Sequence, residues 1–216
     1  MKHLIEWRLF ESSKEEDIES ICREYSIENW TLNEDGSIDV DGDVNLFLIK
    51  ALNKLPLKFR NVSGYFNCSN NNLTSLEGSS KSIGGGFFCY NNNLISLEGS
   101  PEWVGSYFLC NNNNLTSLEG SPEFVGGYFD CSYNNLTSLE GSPKYVGGNF
   151  NCSYNNIISL EGAPELIKGY FDCKNNPVYQ IWNLFKDEEK IEFFNDLDII
   201  RGNLIIFDRL IYFLDA

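Results

Sequence analysis

Apolar and polar positions repeat along most of this chain with a constant step of 21 residues, seen first in Phe66, Phe87, Phe108, Phe129, Phe150 and Phe171. Two residues after each phenylalanine stands Cys68, Cys89, Cys110, Cys131, Cys152 or Cys173, and three residues later Asn71, Asn92, Asn113, Asn134, Asn155 or Asn176. Leu73, Leu94, Leu115, Leu136, Ile157 and Val178 follow, then Leu76, Leu97, Leu118, Leu139, Leu160 and Ile181, and Gly78, Gly99, Gly120, Gly141 and Gly162 close the first half of each unit. A fixed period of this kind marks stacked units, none of which can bury its apolar face alone. The Phe-x-Cys alternation predicts a short strand with both side chains inward. The asparagine turns inward to hydrogen-bond backbone, the leucines fill the coil, and successive coils pair as parallel strands about 4.8 Å apart. Ser100-Pro101-Glu102 and Ser121-Pro122-Glu123 make a turn on the convex side, Val104, Val125 and Val146 bring the chain back inward, and Gly126-Gly127 and Gly147-Gly148 permit a tight return to the strand.

The pattern loosens at both ends. A degenerate unit over 43–63 keeps Leu52, Leu55 and Val62 in register but puts Phe47 in the cysteine slot. Ahead of it, Ser13 with Glu16 reads as a capping box for a helix whose Ile18, Ile21, Cys22 and Tyr25 share a face. Trp30 and Leu32, then Ile38 and Val40, flank the turn Asn33-Glu34-Asp35-Gly36 and predict a hairpin able to shield the open edge of the first coil. Beyond Pro177, the spacing of Val178, Ile181, Trp182 and Phe185 is helical, with further helices expected over 187–195 and 206–214. The organisation expected is a cap of helix plus hairpin over 1–42, an array over 43–176 and a helical cap over 177–216.

One unit, Phe129-Asp130-Cys131-Ser132-Tyr133-Asn134-Asn135-Leu136-Thr137-Ser138-Leu139, resembles the leucine-rich-repeat signature L-x-L-x-x-N-x-L-x-x-L, with Phe and Cys in the first two slots. With Asp39-Val40-Asp41-Gly42-Asp43-Val44 ahead of the array, and Lys190-Ile191-Glu192-Phe193-Phe194-Asn195-Asp196 and Asp198-Ile199-Ile200-Arg201 behind it, the whole chain resembles the small leucine-rich-repeat proteins with N-N-L-T-S-L-E-G-S-P units encoded by tailed bacteriophages and some of their bacterial hosts. The resemblance implies an α+β repeat solenoid: a right-handed, curved leucine-rich-repeat array with a parallel concave sheet and a viral origin. It carries over no site residue and no partner.

Charge narrows the function classes. A formal net charge of −15 repels phosphate backbones and anionic membrane surfaces. Lys50, Lys54, Lys58 and Arg60 read as a solvated face balancing the acidic N-terminus. No apolar run reaches the roughly 20 residues that span a bilayer, and no export signal opens the chain, so a cytoplasmic protein is expected, in the host cytoplasm if phage-encoded. Neither nucleic acid nor membrane is expected as a direct partner.

Catalytic and metal chemistry have little to work with. The single histidine, His3, is remote from the array, and the cysteines occupy core slots as inert packing thiols. A straight ladder of inward thiols does not wrap a zinc ion, and Asp39, Asp41 and Asp43 lack the glycine and the final carboxylate of a calcium loop. Glu77, Glu98, Glu119, Glu140 and Glu161 form a stripe read as solvated, with divalent-cation binding as the alternative. No enzyme and no cofactor are expected.

The outward side of the strands remains. In register it presents Tyr65, Asn67, Phe88, Tyr90, Tyr107, Leu109, Tyr128, Asp130, Tyr133, Asn151, Tyr154, Tyr170, Asp172 and Lys174. Tyrosine supplies contact area at low entropic cost and asparagine supplies adaptable hydrogen bonds, the composition of a recognition surface, although tyrosine also suits any strand. The expected function is therefore protein binding through this face, with a bacterial host protein as partner and inhibition of a host defence factor as its consequence. The alternatives are an acidic nucleic-acid mimic that blocks a DNA-binding protein, and a structural component of the virion.

Overall fold

The computed structural model describes residues 15–47 and 52–179. Residues 15–24 are helical, and Ile18 and Cys22 from this helix, with Tyr25 in the turn just after it, face the core. A hairpin follows, β1 (Trp30–Leu32) antiparallel to β2 (Ile38–Val40), with Gly36 at φ 77° closing its turn.

From there the chain winds as a β-solenoid whose coils each contribute to two sheets. The first sheet continues from β2 through β4 (Phe59–Val62), β6 (Ser82–Ile83), β8 (Trp103–Val104), β10 (Phe124–Val125), β12 (Tyr145–Val146) and β14 (Leu166–Ile167), all parallel. The second runs from β3 (Val44–Asn45) through β5 (Phe66–Asn67), β7 (Phe87–Phe88), β9 (Phe108–Leu109), β11 (Phe129–Asp130) and β13 (Phe150–Asn151) to β15 (Phe171–Asp172). The second sheet is the one the Phe-x-Cys pattern predicts. The first was read from the sequence only as a turn with an inward valine, and the structure makes it a continuous parallel ladder.

Register is kept coil by coil, so like residues stack on like. Phe129 pairs with Phe108 on one side and Phe150 on the other, and the stacked rings lie 5.3 and 5.2 Å apart with their planes within 7° of parallel. The five phenylalanines from Phe66 to Phe150 are fully buried, as are Leu73 to Leu139 and the cysteines Cys68 to Cys152. The buried polar asparagines obey the rule that an interior amide must find partners. Asn113 Nδ2 donates to Cys89 O of the preceding coil at 3.1 Å and to Cys110 O of its own at 3.0 Å, while its Oδ1 accepts from Leu94 N at 3.1 Å. The same arrangement repeats from Asn71 to Asn176.

The glycine column of the first sheet has a plain steric origin. A Cβ on Gly126 would run into the carbonyl oxygen of Gly105 in the preceding coil.

One expectation is corrected in the first coil. Val44 pairs with Phe66 and Leu46 is wholly buried in the cysteine slot, whereas Phe47 is 42 % exposed. An irregularity between Ile38 and Asp39 accompanies the slip: Ile38 faces Phe59 but Val40 faces Val62, so the step changes from 21 to 22 residues there. The capping box at Ser13, the cation Lys50, and the C-terminal helices and their aromatic residues beyond Tyr179 lie outside the described residues.

Candidate functional site

The outer face of the second sheet is built from four slots of the coil. The residue before each phenylalanine gives Tyr65, Tyr107, Tyr128 and Tyr170, with Gly86 and Asn149 in the same column. The residue between Phe and Cys gives Asn67, Phe88, Leu109, Asp130, Asn151 and Asp172, paired in that order. Tyr90 and Lys174 follow their cysteines. Tyr133 and Tyr154 stand one residue further on, beyond the strand, where the chain turns.

These positions differ in what they leave free. Tyr107, Tyr133, Tyr154 and Tyr170 are exposed, Tyr170 at 82 %. Phe88 folds back over Gly86, where a Cβ would meet its ring, and sits 6.2 Å from Tyr65. The column thus trades one tyrosine for a glycine that the neighbouring ring covers. Asp130, Asn151 and Asp172 are partly committed: each Oδ1 accepts the backbone N–H two residues on, at 2.9 to 3.0 Å, and so ends the strand with an Asx turn. Asn67 does the same. Asp130 also accepts the Tyr128 hydroxyl at 2.9 Å, and burial together with the Asp130 charge pushes the Tyr128 phenol well above its ordinary range. Lys174 Nζ lies 3.6 Å from Asp172.

Tyr133 and Tyr154 occupy a left-handed turn at φ 54° that Asn70, Asn91 and Asn112 fill in earlier coils. Asparagine tolerates this region and tyrosine seldom enters it. The asparagine version is tied by Asn91 Nδ2 to Asn70 Oδ1 at 2.9 Å, and the tyrosine version by ring stacking at 4.3 Å and 9°. Sequence reasoning placed these two tyrosines on the strand. The face therefore has an apolar portion around Tyr65, Phe88, Tyr90, Tyr107 and Leu109, and a carboxylate and amide portion around Asp130, Asn151 and Asp172 rimmed by the tyrosine pair.

Other candidates are resolved by their contacts. Burial pushes the Cys68 thiol up to about 12 and those of Cys89, Cys110, Cys131 and Cys152 well above the usual thiol range, so they stay protonated at neutral pH and are weak nucleophiles. Asp39 takes the Arg60 guanidinium, which holds its carboxyl below the usual range. Asp41 accepts the Ser63 hydroxyl at 2.8 Å and Asp43 the Tyr65 N–H at 2.9 Å. Of the cation group, Lys58 lies 2.9 Å from Asp35. The glutamate stripe is exposed, and among the described residues no cluster of three His, Cys, Asp or Glu is placed to hold a metal. No helix among them is long and apolar enough to cross a membrane.

One surface was missed. On the outside of the first sheet Trp103, Phe124 and Tyr145 stack as a ladder, 5.8 and 4.7 Å apart and within 5° of parallel. The signal was present one residue before each inward valine, but three different aromatic types share the slot, and only superposing the coils reveals a column. Comparison of the chain with protein-family models, with curated proteins and with solved structures found no match in any of the three.

Proposed function

We propose that the chain is a non-enzymatic, protein-binding module of the leucine-rich-repeat type, phage-encoded, that grips a protein of the bacterial host on the outer face of its second sheet and inhibits a host defence function. The observation that supports the reading best is the exposure of Tyr107, Tyr133, Tyr154 and Tyr170 on one ladder of hydrogen-bonded coils. Large aromatic side chains kept out of the core on a backbone ordered in advance lose little entropy on binding. The adjoining Asp130, Asn151 and Asp172 add hydrogen-bonding capacity beyond that used by their own turns.

The test compares wild type with the Tyr107→Ala/Tyr128→Ala/Tyr133→Ala variant, first in affinity capture from host lysate and then against the purified captured protein. The expected result is loss of binding with an unchanged circular dichroism spectrum. Retained affinity in the variant overturns the tyrosine face as the site. Steep salt dependence with indifference to the tyrosines transfers support to nucleic-acid mimicry, for which the net charge of −15 is the favouring observation.

A further inference from the structure

Between the second sheet and the glutamate stripe each coil has a third side, belonging to neither sheet, on which inward and outward residues alternate. Asn92 and Leu94 are buried while Asn93 and Ile95 are exposed, and the neighbouring coils repeat the pattern. The outward residues form two columns. One is Asn72, Asn93, Asn114, Asn135 and Asn156, and the other, two residues on, mixes threonine and isoleucine from Thr74 to Ile158. The backbone beneath them is ordered in advance. Asn93 N donates to Leu73 O at 2.9 Å, and Asn114, Asn135 and Asn156 donate in the same way to Leu94, Leu115 and Leu136 at 2.8 Å. Like side chains therefore stand one strand spacing, about 4.8 Å, apart along the solenoid.

Two properties set this side apart. It is uncharged: in a chain of net charge −15, the stretches 70–74, 91–95, 112–116, 133–137 and 154–158 hold no acid and no base. Its amides are also unspent. The inner asparagines commit both ends of the amide to backbone, and Asn91 is tied to Asn70 at 2.9 Å. The outward column from Asn72 to Asn156 makes no side-chain hydrogen bond among the described residues. Threonine and isoleucine share a branched methyl, so a row of exposed methyls runs beside the row of donors and acceptors.

The geometry points to a binding row for a neutral, linear, β-1,4-linked glycan laid along the solenoid axis, one sugar ring to a coil. The coil spacing is close to the advance per ring of such a chain in its extended form. Successive rings present opposite edges, and an amide serves either edge because it both donates and accepts. The methyls meet ring C–H groups, and the stacked Tyr133 and Tyr154 at the border add aromatic area. A periodic face gains most from a periodic ligand, since each contact is weak and later contacts form at high effective concentration once the first is made. An anionic polymer is repelled by the net charge, and a cationic one finds no counter-charge on this side. The row uses neither Tyr107 nor the Asp130 column and does not rest on the protein-binding reading.

The test titrates the full chain with β-1,4-linked oligomers of glucose and of N-acetylglucosamine, from disaccharide to hexasaccharide, and follows the asparagine side-chain amides by NMR. The Asn114 pair is identified as the one absent from Asn114→Asp. For at least one series, affinity is expected to rise about fivefold with each added ring, the worth of one net hydrogen bond, and to level off between penta- and hexasaccharide, when every coil of the row is engaged. Asn114→Asp puts a charge in the middle of the row, leaves two coils on either side, and should hold every oligomer at the affinity of the disaccharide. That side chain has no partner to lose, so the thermal melt should match wild type; should the variant fail to fold, Thr116→Lys blocks the row in the same way. Tyr107→Ala should leave the length dependence intact. No shift with either series, an affinity independent of length, or a length dependence that survives the blocking of the row each overturns the proposal.

Discussion

Inside the coils a column keeps its residue type, and on the outer faces it does not. The phenylalanine slot is Phe from Phe66 to Phe171 and the asparagine slot is Asn from Asn71 to Asn176, whereas the slot before the phenylalanine reads Tyr65, Gly86, Tyr107, Tyr128, Asn149 and Tyr170. The slot before the inner valine varies as widely, from Ser82 through Trp103 to Leu166. Packing at crystal-like density admits one shape at each interior position, while a solvated position one residue away is free to change. The difference separates what builds the molecule from what is available for recognition.

That separation can be broken by experiment, and the largest expected effect is collective. The buried thiols titrate higher in the folded chain than in the unfolded one, where the ordinary value is about 8.5. The unfolded state therefore loses protons first, and stability that is complete below about pH 8 falls as pH rises toward the folded values. Five wholly buried cysteines, Cys68 to Cys152, each contribute about 1 kcal/mol of loss between pH 9 and 10, or about 5 kcal/mol together. Urea melts at pH 7, 9 and 10 check this, and Cys110→Ala should make the decline shallower by one cysteine's share.

Next comes Asn113→Ala, which strips Leu94 N of its acceptor and Cys89 O and Cys110 O of a donor inside the core. A destabilisation of about 3–4 kcal/mol is expected by chemical denaturation. On the first sheet's face, Phe124→Ala interrupts the ring ladder from both sides and should cost about 1–2 kcal/mol. Tyr133→Ala is expected to be the mildest, about 0.5–1 kcal/mol for the lost ring pair, with the left-handed turn relieved of a residue that seldom adopts it. A Tyr133→Ala loss as large as that of Asn113→Ala would erase the distinction between interior and face.

The interior was legible because its rule is local and repeats: Phe-x-Cys, an asparagine three residues on, and glycines at the turns, which do take positive φ at Gly78, Gly99, Gly120, Gly141 and Gly162. The hairpin was legible from Asn33 to Gly36 and its flanking apolar pairs. The first sheet was not, because a coil such as that of Trp103–Val104 gives it one inward residue beside an outer residue of changing type, whereas the second sheet announces itself by two inward positions, Phe and Cys, in every coil. The Phe47 expectation failed because one residue was inserted where the hairpin joins the array, and a strict 21-residue count carries no information about an insertion. Of the outer-face residues, the sequence located the columns but not their commitments: that Asp130 and Asn151 terminate strands, and that Phe88 fills the space over Gly86, depends on side-chain directions.

The asparagine ladder also bears on how such a chain changes length. Each seam between coils is closed by the same amide, reaching back to the same two backbone groups of its predecessor. Removing one whole period from the middle would bring together two surfaces that already match, whereas removing any other length would leave mismatched groups facing each other. Gene duplication or loss in steps of one period is thus chemically silent at the junction, and the reach of the molecule is adjustable in evolution without redesign of its interior.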